Sequence, residues 1–519
     1  MSKYRRISQI IFLLFFLFLL VQASFPYDRV IPSDLFVRFD PLAMGIAALS
    51  DRSYINWLWL PAVTVLVSVV LGRVFCGWAC PMGTTIDLAE MALFRKRKKA
   101  EQKKNLQWLK YAALAAVIIS SLFGLSLSYY LDPVPLISRI YTIVFYPLVS
   151  GLADLGVRGL GPVFEKLHME KMAYLDLKPP VYRQVFLTLG MFAAILGLSS
   201  ISPRFFCRNL CPLGALLGIC SRSARLSKHV SNECTNCKLC EKVCPTGAIE
   251  KETWKDREAE CIKCYICQDE CPVDAIQYSF KSKPARLTTI DLGKRKFITA
   301  SALGLSAGIV ARQSADLRNR PNHLIRPPGA LPENEFLARC TRCAECVKVC
   351  PTRVIQPQGL EQGLAGVFAP ALKMRLAGCG QDCNICGKIC PTQALREIDS
   401  EEKKYAKLGT AAIDQSRCLV YAWGKTCQIC DEACPYNAII FHTVNDKRVP
   451  IVVPSRCNGC GWCEAGCPVL GESAIKVDPS GEIRLRQGSY KEEAQSRGID
   501  LSAKDELENT PETKENGSE

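Results

Sequence analysis

Histidine is scarce in this sequence. There are four histidines in 519 residues, His168, His229, His323 and His442, and none lies in a long apolar segment. This distribution argues against a haem held by paired histidines inside a membrane domain. No Cys-x-x-Cys-His sequence occurs, which excludes an attached c-type haem. Dinucleotide-binding and P-loop motifs are also absent, so the sequence does not indicate a nicotinamide enzyme or an NTPase.

Cysteine, in contrast, is abundant, with 29 in the chain. Twenty-four of them fall into six blocks that each end in a Cys-Pro pair. Four blocks read C-x2-C-x2-C-x3-C-P, and their cysteines are Cys234, Cys237, Cys240, Cys244; Cys261, Cys264, Cys267, Cys271; Cys340, Cys343, Cys346, Cys350; and Cys457, Cys460, Cys463, Cys467. Two blocks have longer spacings, and their cysteines are Cys379, Cys383, Cys386, Cys390; and Cys418, Cys427, Cys430, Cys434.

The spacing of these blocks is typical of bacterial ferredoxins. Three closely spaced thiolates hold one cubane cluster, and the fourth cysteine completes a neighbouring cluster. Disulfide bonds would not need this repeated spacing, and 29 cysteines cannot all pair. Structural zinc usually takes two separated C-x2-C pairs rather than four thiols in one loop. The sequence therefore predicts six [4Fe–4S] clusters and a protein that moves electrons.

Long apolar segments are concentrated in the first 215 residues. Four of them, residues 7–23, 54–72, 109–131 and 181–201, approach the roughly 20 residues that cross a bilayer. A signal peptide is the alternative for the first, but a small-residue cleavage site is lacking. Residues 140–157 are apolar but contain Pro147 and Gly151. We expect them to lie at the membrane surface or to re-enter, since a fifth span would place the later cysteines on the wrong side.

Basic residues indicate the orientation of these spans. The formal net charge is +15, and a dense basic run lies in residues 95–104, between the second and third apolar segments. With the N-terminal Lys3, Arg5 and Arg6, this run is expected in the cytoplasm. The charge is therefore interpreted as a topology signal, and nucleic-acid binding is not expected.

Two further cysteine pairs follow the second and fourth apolar segments. They are Cys76-Gly-Trp-Ala-Cys80-Pro-Met-Gly and Cys207-Arg-Asn-Leu-Cys211-Pro-Leu-Gly. This internal C-x3-C-P repeat predicts two related hairpins packed about a pseudo-two-fold axis. Their four thiols could ligate one further metal centre, or they could be structural thiols at helix ends; the sequence leaves both open. Cys220 stands alone and is expected to be an unreactive buried thiol.

The predicted fold is an α-helical membrane bundle with α+β bacterial-type ferredoxin domains, one holding two clusters and one holding four. The expected divisions are residues 1–225 (membrane domain), 226–285 (two-cluster domain), 286–335 (anchor helix and linker), 336–485 (four-cluster domain) and 486–519 (disordered acidic tail). We expect Val243, Ala248, Ile249, Ala275 and Ile276 to form much of the two-cluster core. In that domain, Cys271 is expected to complete the first cluster and Cys244 the second.

Residues 297–311 form an apolar stretch rich in Gly, Ala and Ser, after Gly293-Lys294-Arg295-Lys296. This stretch resembles a twin-arginine export signal inside the polypeptide, with one arginine in place of two. It is predicted to cross or anchor in the membrane, and a core or surface helix is the alternative because 15 residues are few for a span.

The first 285 residues resemble the NapH type of membrane iron–sulfur protein. The shared features are four spans, two C-x3-C-P motifs and a terminal two-cluster unit, and residues 132–139 resemble the loop after that family's third span. Residues 293–480 resemble the NapG/MauM type of periplasmic polyferredoxin. That resemblance is carried by Cys379-Gly-Gln-Asp-Cys383, by Cys418-Leu-Val-Tyr-Ala-Trp423-Gly-Lys-Thr-Cys427, and by Cys457-Asn-Gly-Cys460-Gly-Trp-Cys463. The chain thus resembles a fusion of two partner proteins.

The resemblance implies a quinol-oxidising electron conduit in the bacterial inner membrane. The first ferredoxin domain would be cytoplasmic and the second periplasmic, with the quinone pool as donor and a periplasmic reductase or small carrier as acceptor. In the four-cluster domain the third and sixth blocks would exchange fourth ligands and the fourth and fifth would form an inner pair; sequential pairing is the alternative. The protein is expected to be an electron-transfer subunit with quinol dehydrogenase activity rather than a stand-alone enzyme.

Other functional interpretations remain open. A maturation factor for a metalloenzyme, similar to CcoG, shares the C-x3-C-P core but usually lacks the outer polyferredoxin. A redox sensor would need an output domain, and none is evident. Quinol oxidation needs a proton acceptor, for which Asp132, Arg139 and His168 are candidates. Asp132 precedes Pro133, so a role as a turn residue is the simpler explanation.

Overall fold

The computed structural model describes residues 1–25, 31–93, 106–166, 179–249, 258–280, 302, 306, 324–444, 447–499 and 501. We divide it into a helical domain (residues 1–225), a small unit (226–280) and a large unit (324–501). Several predicted features lie outside the described residues. These are the basic run 95–104, His168, His323, most of the export-like stretch 297–311 and the chain after 501.

The helical domain is built from helices of very different length. Its α-helices are Ser2–Gln22, Leu35–Arg38, Pro41–Asp51, Trp59–Leu71, Pro81–Leu93, Trp108–Leu122, Pro133–Ile140, Tyr146–Lys166, Val185–Leu198, Phe205–Asn209 and Pro212–Cys220. Two π-helical turns, Phe75–Ala79 and Tyr141–Phe145, connect consecutive helices. By length and composition, Ser2–Gln22 and the continuous helical segment Pro133–Leu160 could each cross a membrane.

Three predicted spans correspond to shorter apolar helices, Trp59–Leu71, Trp108–Leu122 and Val185–Leu198. The backbone explains where these helices stop. Gly72 and Gly124 follow two of them with φ of 85° and 78°, values that glycine adopts without strain. Gln184, with φ of 63°, precedes the third. The apolar run in the sequence is therefore longer than the helix in each case.

The first helix joins the two ferredoxin units. At its start, the backbone N–H of Ser2 donates to Asp269 of the small unit (2.8 Å). After its end, the carbonyl of Ala23 accepts from Lys348 Nζ of the large unit (3.1 Å). A helix of 21 residues is about 30 Å long. We call the two ends of the helical domain the small-unit end and the large-unit end.

The small unit is a two-stranded antiparallel sheet with two short helices. Strand Leu226–Val230 pairs with Ile276–Phe280, and the helices are Leu239–Val243 and Ile266–Asp269. Of the expected core residues, Ala248, Ile249, Ala275 and Ile276 are buried, whereas Val243 is half-buried.

The large unit contains three antiparallel strand pairs. They are Ile355–Pro357 with Pro370–Leu372, Thr410–Ile413 with Ile475–Asp478, and Ile439–Val444 with Lys447–Val452. Its helices are Glu333–Arg339, Glu345–Val349, Ile385–Lys388, Ser400–Tyr405, Leu419–Trp423, Ile429–Glu432, Trp462–Gly466 and Tyr490–Ser496.

This unit is larger at both ends than the sequence predicted. Leu324 and Ile325 are buried in it, ahead of the expected start at residue 336. At the other end, Tyr490 is fully buried and stacks beneath the Arg396 guanidinium. Residues 486–499 therefore belong to the folded unit rather than to a disordered tail, because an aromatic anchor holds them against the core.

Candidate iron–sulfur sites

The small unit brings its cysteines together in two groups of four. Cys271 lines one cavity with the three closely spaced cysteines of the first block, Cys234, Cys237 and Cys240. The thiols of Cys264 and Cys267 interact electrostatically with Cys244, and Cys267 also interacts with Cys261. Each group thus takes three thiols from one block and the fourth from the other, as the spacing predicted.

The third and fourth blocks exchange their last cysteines. Cys390 interacts electrostatically with Cys343 and Cys346, and it approaches Cys340 as well. In return, Cys350 interacts with the group Cys379, Cys383 and Cys386. The two blocks meet because the chain between them folds back through the strand pair Ile355–Pro357 and Pro370–Leu372.

The fifth and sixth blocks are paired in the same way. One cavity is lined by Cys434 together with Cys457, Cys460 and Cys463. A second is lined by Cys467 together with Cys418, Cys427 and Cys430. Antiparallel pairing of Thr410–Ile413 with Ile475–Asp478 brackets both blocks and brings them together. The nested pairing expected above is therefore wrong, and the sequential alternative is the one the chain adopts.

The local chemistry suits clusters bound through sulfur. The last cysteine of several blocks accepts a backbone hydrogen bond from a residue just beyond its proline: Ala248 N to Cys244 Sγ (3.3 Å), Leu395 N to Cys390 Sγ (3.5 Å) and Ala438 N to Cys434 Sγ (3.4 Å). Such bonds stabilise a thiolate and tune cluster potential. Burial raises the pKa of Cys264 to about 11, so binding of iron must displace the proton.

The two cluster pairs of the large unit adjoin each other. The backbone N–H of Cys379 donates to the carbonyl of Cys460 (2.8 Å). Gly378 permits this contact, because a Cβ there would lie 2.4 Å from the Trp462 ring. The four sets of four cysteines in this unit therefore form one continuous series.

The C-x3-C-P pairs of the helical domain also meet. Cys211 interacts electrostatically with Cys76, Cys80 and Cys207, and Cys80 with Cys76 and Cys207. Cys80 and Cys211 are buried, and Cys76 and Cys207 are half-buried. We call this group the four-thiol site. Among the residues that the structure describes, no three His, Cys, Asp or Glu side chains are close enough to hold a single metal ion.

The four-thiol site has matching halves. Cys80 immediately precedes the helix Pro81–Leu93, and Cys211 immediately precedes Pro212–Cys220. Gly214 N donates to Cys211 Sγ (3.2 Å), and Gly83 makes the equivalent backbone bond to Cys80. Each half of the internal repeat therefore places its second cysteine at a helix N-terminus, with the same backbone hydrogen bond.

Two functional residues of this site were missed by sequence reasoning. Arg73 and Arg204 each stand three positions before the first cysteine of a pair, in a shared Arg-x-Phe-Cys pattern. Both side chains are almost completely buried. The repeated arginine was the available signal, since a basic residue held at the same offset in two apolar hairpins needs a buried partner.

The small unit packs directly against the four-thiol site. Trp78, between Cys76 and Cys80, donates from Nε1 to the carbonyl of Lys263 (2.9 Å). A Cβ on Gly77 would lie 2.3 Å from the carbonyl oxygen of Ile262. The second-block loop of the small unit is therefore in van der Waals contact with the first C-x3-C-P hairpin.

The large unit is docked through its third block. Ser138 Oγ donates to Glu345 Oε1 (2.8 Å), and Arg342 donates from Nη1 to the carbonyl of Ser126 (3.4 Å). Arg139 donates to the carbonyl of Arg342 (3.4 Å). Cys343 packs into the buried apolar cluster of the helical domain, which also contains Cys80 and Cys211. One continuous core thus extends from the four-thiol site to the third block.

The candidate base Asp132 lies at the large-unit end and is fully buried. It precedes the helix Pro133–Ile140, but its side chain makes no capping hydrogen bond. Burial and the neighbouring Asp40 carboxyl raise the pKa of Asp132 well above its usual value. A turn role alone therefore does not account for the carboxyl group. Arg139 is also fully buried, with its guanidinium 4.0 Å from the centre of the Phe368 ring.

Three family models of iron–sulfur domains match four segments of the chain. A 4Fe-4S binding domain matches residues 55–101 and 184–230, which contain the two C-x3-C-P pairs. A second 4Fe-4S binding domain matches residues 228–250, and a 4Fe-4S dicluster domain matches residues 258–354.

Curated relatives match over most of their own length. The methylamine utilization ferredoxin-type protein MauM of Methylorubrum extorquens is 37% identical over 190 residues, which are 34% of this chain and 81% of MauM. The ferredoxin-type protein NapG of Escherichia coli is 35% identical over 203 residues, 36% of this chain and 86% of NapG. The chain belongs to the family of ferredoxin-type proteins NapG and MauM.

An uncharacterized protein of Methanocaldococcus jannaschii is similar over a longer stretch. It is 30% identical over 286 residues, 54% of this chain and 97% of that protein. Together with the domain matches, the NapG/MauM relationship supports [4Fe–4S] binding and an iron–sulfur electron-transfer function for this chain.

Proposed function

We propose that this NapG/MauM-family protein is a membrane-bound conduit that carries electrons from the quinol pool to a periplasmic reductase. The observation that carries the proposal is the helix Ser2–Gln22, which contacts a ferredoxin unit at each end. Its length of about 30 Å equals the thickness of the bilayer hydrocarbon core. One ferredoxin unit would then lie on each side of the membrane.

Exposed apolar side chains on the helical domain support a membrane position. Ile11, Leu14 and Val21 of the first helix are more than half exposed, and Phe186 of the helix Val185–Leu198 is 88% exposed. Apolar surface of this extent is unfavourable in water but suits contact with lipid. We assign the small-unit end to the cytoplasm, where the basic N-terminus is expected, and the large-unit end to the periplasm.

The helical segment Pro133–Leu160 is long enough for a span, but we assign it to the periplasmic side. Near its start, Ser138 bonds to Glu345, and further along Lys348 Nζ lies 3.7 Å from the centre of the Tyr146 ring. After it, Tyr182 packs in the core of the large unit. Contacts with the large unit on both sides support a surface or re-entrant helix and four crossings ahead of the small unit.

Six cubane clusters are proposed, one at each of the six sets of four cysteines in the two ferredoxin units. A seventh iron–sulfur centre is proposed at the four-thiol site. Bound clusters would supply one-electron carriers, while the chain supplies the thiolates and the backbone hydrogen bonds. This combination is the basis for treating the chain as a NapH-type membrane part fused to a NapG-type polyferredoxin. The small unit would exchange electrons through the four-thiol site.

Quinol oxidation releases protons, and we assign the carboxyl pair Asp40 and Asp132 to accept them. Both residues are fully buried at the large-unit end. The pKa of Asp132 is raised the more, so Asp132 keeps its proton and Asp40 is the ionised acceptor of the pair. A carboxylate whose pKa is raised by burial is a stronger base than an exposed one. Electrons would leave from the group Cys418, Cys427, Cys430 and Cys467, whose thiols are all partly exposed.

The test is reduction of the purified protein by a quinol analogue, followed by EPR and by analysis of iron and acid-labile sulfide. The proposal predicts clusters that quinol reduces and about 28 irons per chain, four for each of seven cubanes. The maturation-factor alternative predicts bound copper and no reduction by quinol. The large unit argues against that alternative, because a metal chaperone has no need for four further clusters.

A further inference from the structure

Arg73 and Arg204 are placed crosswise in the four-thiol site. Arg204, from the second hairpin, donates to two carbonyls of the first: Nη1 to Cys76 O (3.2 Å) and Nη2 to Gly83 O (3.4 Å). Arg73, from the first hairpin, lies against Gly214 of the second, where a Cβ would be 2.6 Å from Arg73 Nη2. Each guanidinium therefore reaches the C-P-x-G turn of the opposite hairpin.

Both guanidiniums are within electrostatic range of the thiols. Arg73 interacts with Cys76 and Cys211. Arg204 interacts with Cys207 and Cys80, and also with Cys264 of the small unit. Two buried positive charges thus flank one group of four cysteines, one charge from each hairpin.

Each arginine also shares a carboxylate with a second basic residue. Arg204 binds Asp87 through Nε and Nη2 (both 2.6 Å), and Arg5 Nη2 binds the same carboxylate (2.7 Å). The other half is equivalent, since Arg73 and Lys110 both pair with Glu260. Four basic groups therefore face two carboxylates, which leaves positive charge in excess.

Glu90 lies at the edge of this network and accepts a hydrogen bond from the backbone N–H of Arg204 (2.7 Å). With its carboxylate included, four basic groups face three acidic groups, so one positive charge remains in excess. Uncompensated positive charge in a buried site is costly. A cubane in its resting oxidised form, bound by four thiolates, carries a net charge of −2 and would remove that cost.

We propose that Arg73 and Arg204 are the counter-charges of the seventh iron–sulfur centre and raise its reduction potential. This inference rests on the proposed seventh centre. Reduction adds one negative charge to the centre, and two adjacent guanidiniums stabilise the reduced form relative to the oxidised form. Because each arginine reaches the opposite hairpin, assembly of the centre would also depend on both halves of the repeat.

The test is a redox titration monitored by EPR. The signal of the seventh centre is the one that disappears in Cys76→Ser. In Arg73→Gln or Arg204→Gln, the ratio of reduced to oxidised centre at a fixed potential is expected to fall about tenfold, which is 59 mV for one electron. Arg73→Lys and Arg204→Lys keep the charge and should stay near the wild-type potential. Arg326→Gln is the matched control, since Arg326 is an equally buried arginine paired with Glu333 in the large unit.

Each outcome of the titration decides the proposal. An unchanged potential in both glutamine variants with the iron retained overturns it. If the glutamine variants lose the centre, retention in the lysine variants supports a charge role, whereas equal loss in the lysine variants overturns it. Absence of any Cys76-dependent signal in the wild type overturns both this inference and the seventh centre, but quinol reduction of the other six clusters would leave the conduit intact.

Discussion

Arg204 Nη1 donates to the carbonyl of Cys76, 128 positions earlier in the chain (3.2 Å). This bond links the two C-x3-C-P hairpins at the point where their four thiols converge. It makes the internal repeat a single site rather than two separate helix ends. The expectation of structural thiols alone does not explain why a buried arginine recurs at the same position in each hairpin.

The sequential ligand pairing predicts which cysteines share an EPR signal. Cys390→Ser should alter the same signal as Cys343→Ser, and Cys467→Ser the same signal as Cys430→Ser. The reason is that each pair lines one thiol group. Spectra of the four single variants after dithionite reduction provide the measurement. Coincident changes in Cys467→Ser and Cys343→Ser would instead indicate the nested pairing.

Gly77→Ala is expected to weaken docking of the small unit on the helical domain. The new methyl group would lie 2.3 Å from Ile262 O, and overpacking of this kind costs roughly 1–3 kcal/mol. Hydrogen exchange of residues 258–270 measures the effect and should become faster. Gly190→Ala is the control, since a Cβ at Gly190 has no neighbour within 4 Å. Equal exchange in the two variants would show that this contact does not hold the unit.

Lys348→Met is expected to slow reduction of the large unit by quinol. Lys348 Nζ donates to Ala23 O (3.1 Å), and loss of a hydrogen bond from a charged donor costs about 2 kcal/mol. Reduction by dithionite, which needs no docking, should be unchanged. Lys388→Met, at an exposed position of the same unit, serves as the control. A normal quinol rate in Lys348→Met would mean that electrons enter elsewhere.

Asp132→Asn is expected to stabilise the protein increasingly as pH rises from 5 to 8. Burial and Asp40 raise the pKa of Asp132 in the folded chain, so the unfolded chain ionises first and wild-type stability falls with rising pH. The free energy of unfolding of the wild type falls by about 1.4 kcal/mol for each pH unit over which Asp132 is ionised only in the unfolded chain. Asparagine mimics the neutral acid and removes this dependence.

Thermal unfolding of wild type and Asp132→Asn across this pH range gives the comparison. A constant difference in midpoint would show that Asp132 has an ordinary pKa. If the carboxyl pair accepts protons from quinol, the same variant also oxidises quinol more slowly, with dithionite-reduced spectra unchanged. Asp34→Asn, at another buried carboxylate of this end, is the control for the rate.

The sequence was sufficient for the cysteine groups because their chemistry is local. Spacing within a block determines which three thiols can hold one corner of a cluster, and the crossed grouping of cysteines in the small unit agrees with it. The C-x3-C-P repeat likewise indicated two related hairpins, and their four cysteines meet at the four-thiol site. Spacing does not determine which blocks become neighbours. The third and fourth blocks become neighbours because the chain between them returns through the strand Pro370–Leu372.

Other features depend on contacts between distant residues. Asp40 and Asp132 come together only after two helices are placed, so the pair was not evident beforehand. Two helices end at Gly72 and Gly124 because these glycines have a positive φ. The apolar runs show no change in hydropathy there, so the sequence does not indicate where the helices end. The sequence predicts a tail where the helix Tyr490–Ser496 lies, because most of its residues are charged or polar. Burial of Tyr490 is not evident from that composition.

The central claim is tested most directly in liposomes that contain the protein and a quinol, with a membrane-impermeant electron acceptor outside. In vesicles whose large units face outward, we expect reduction of the acceptor, and loss of that reduction in Cys343→Ser but not in Cys220→Ser. Acceptor reduction that persists in Cys343→Ser, or that never exceeds protein-free vesicles, would contradict a conduit from quinol through the large unit.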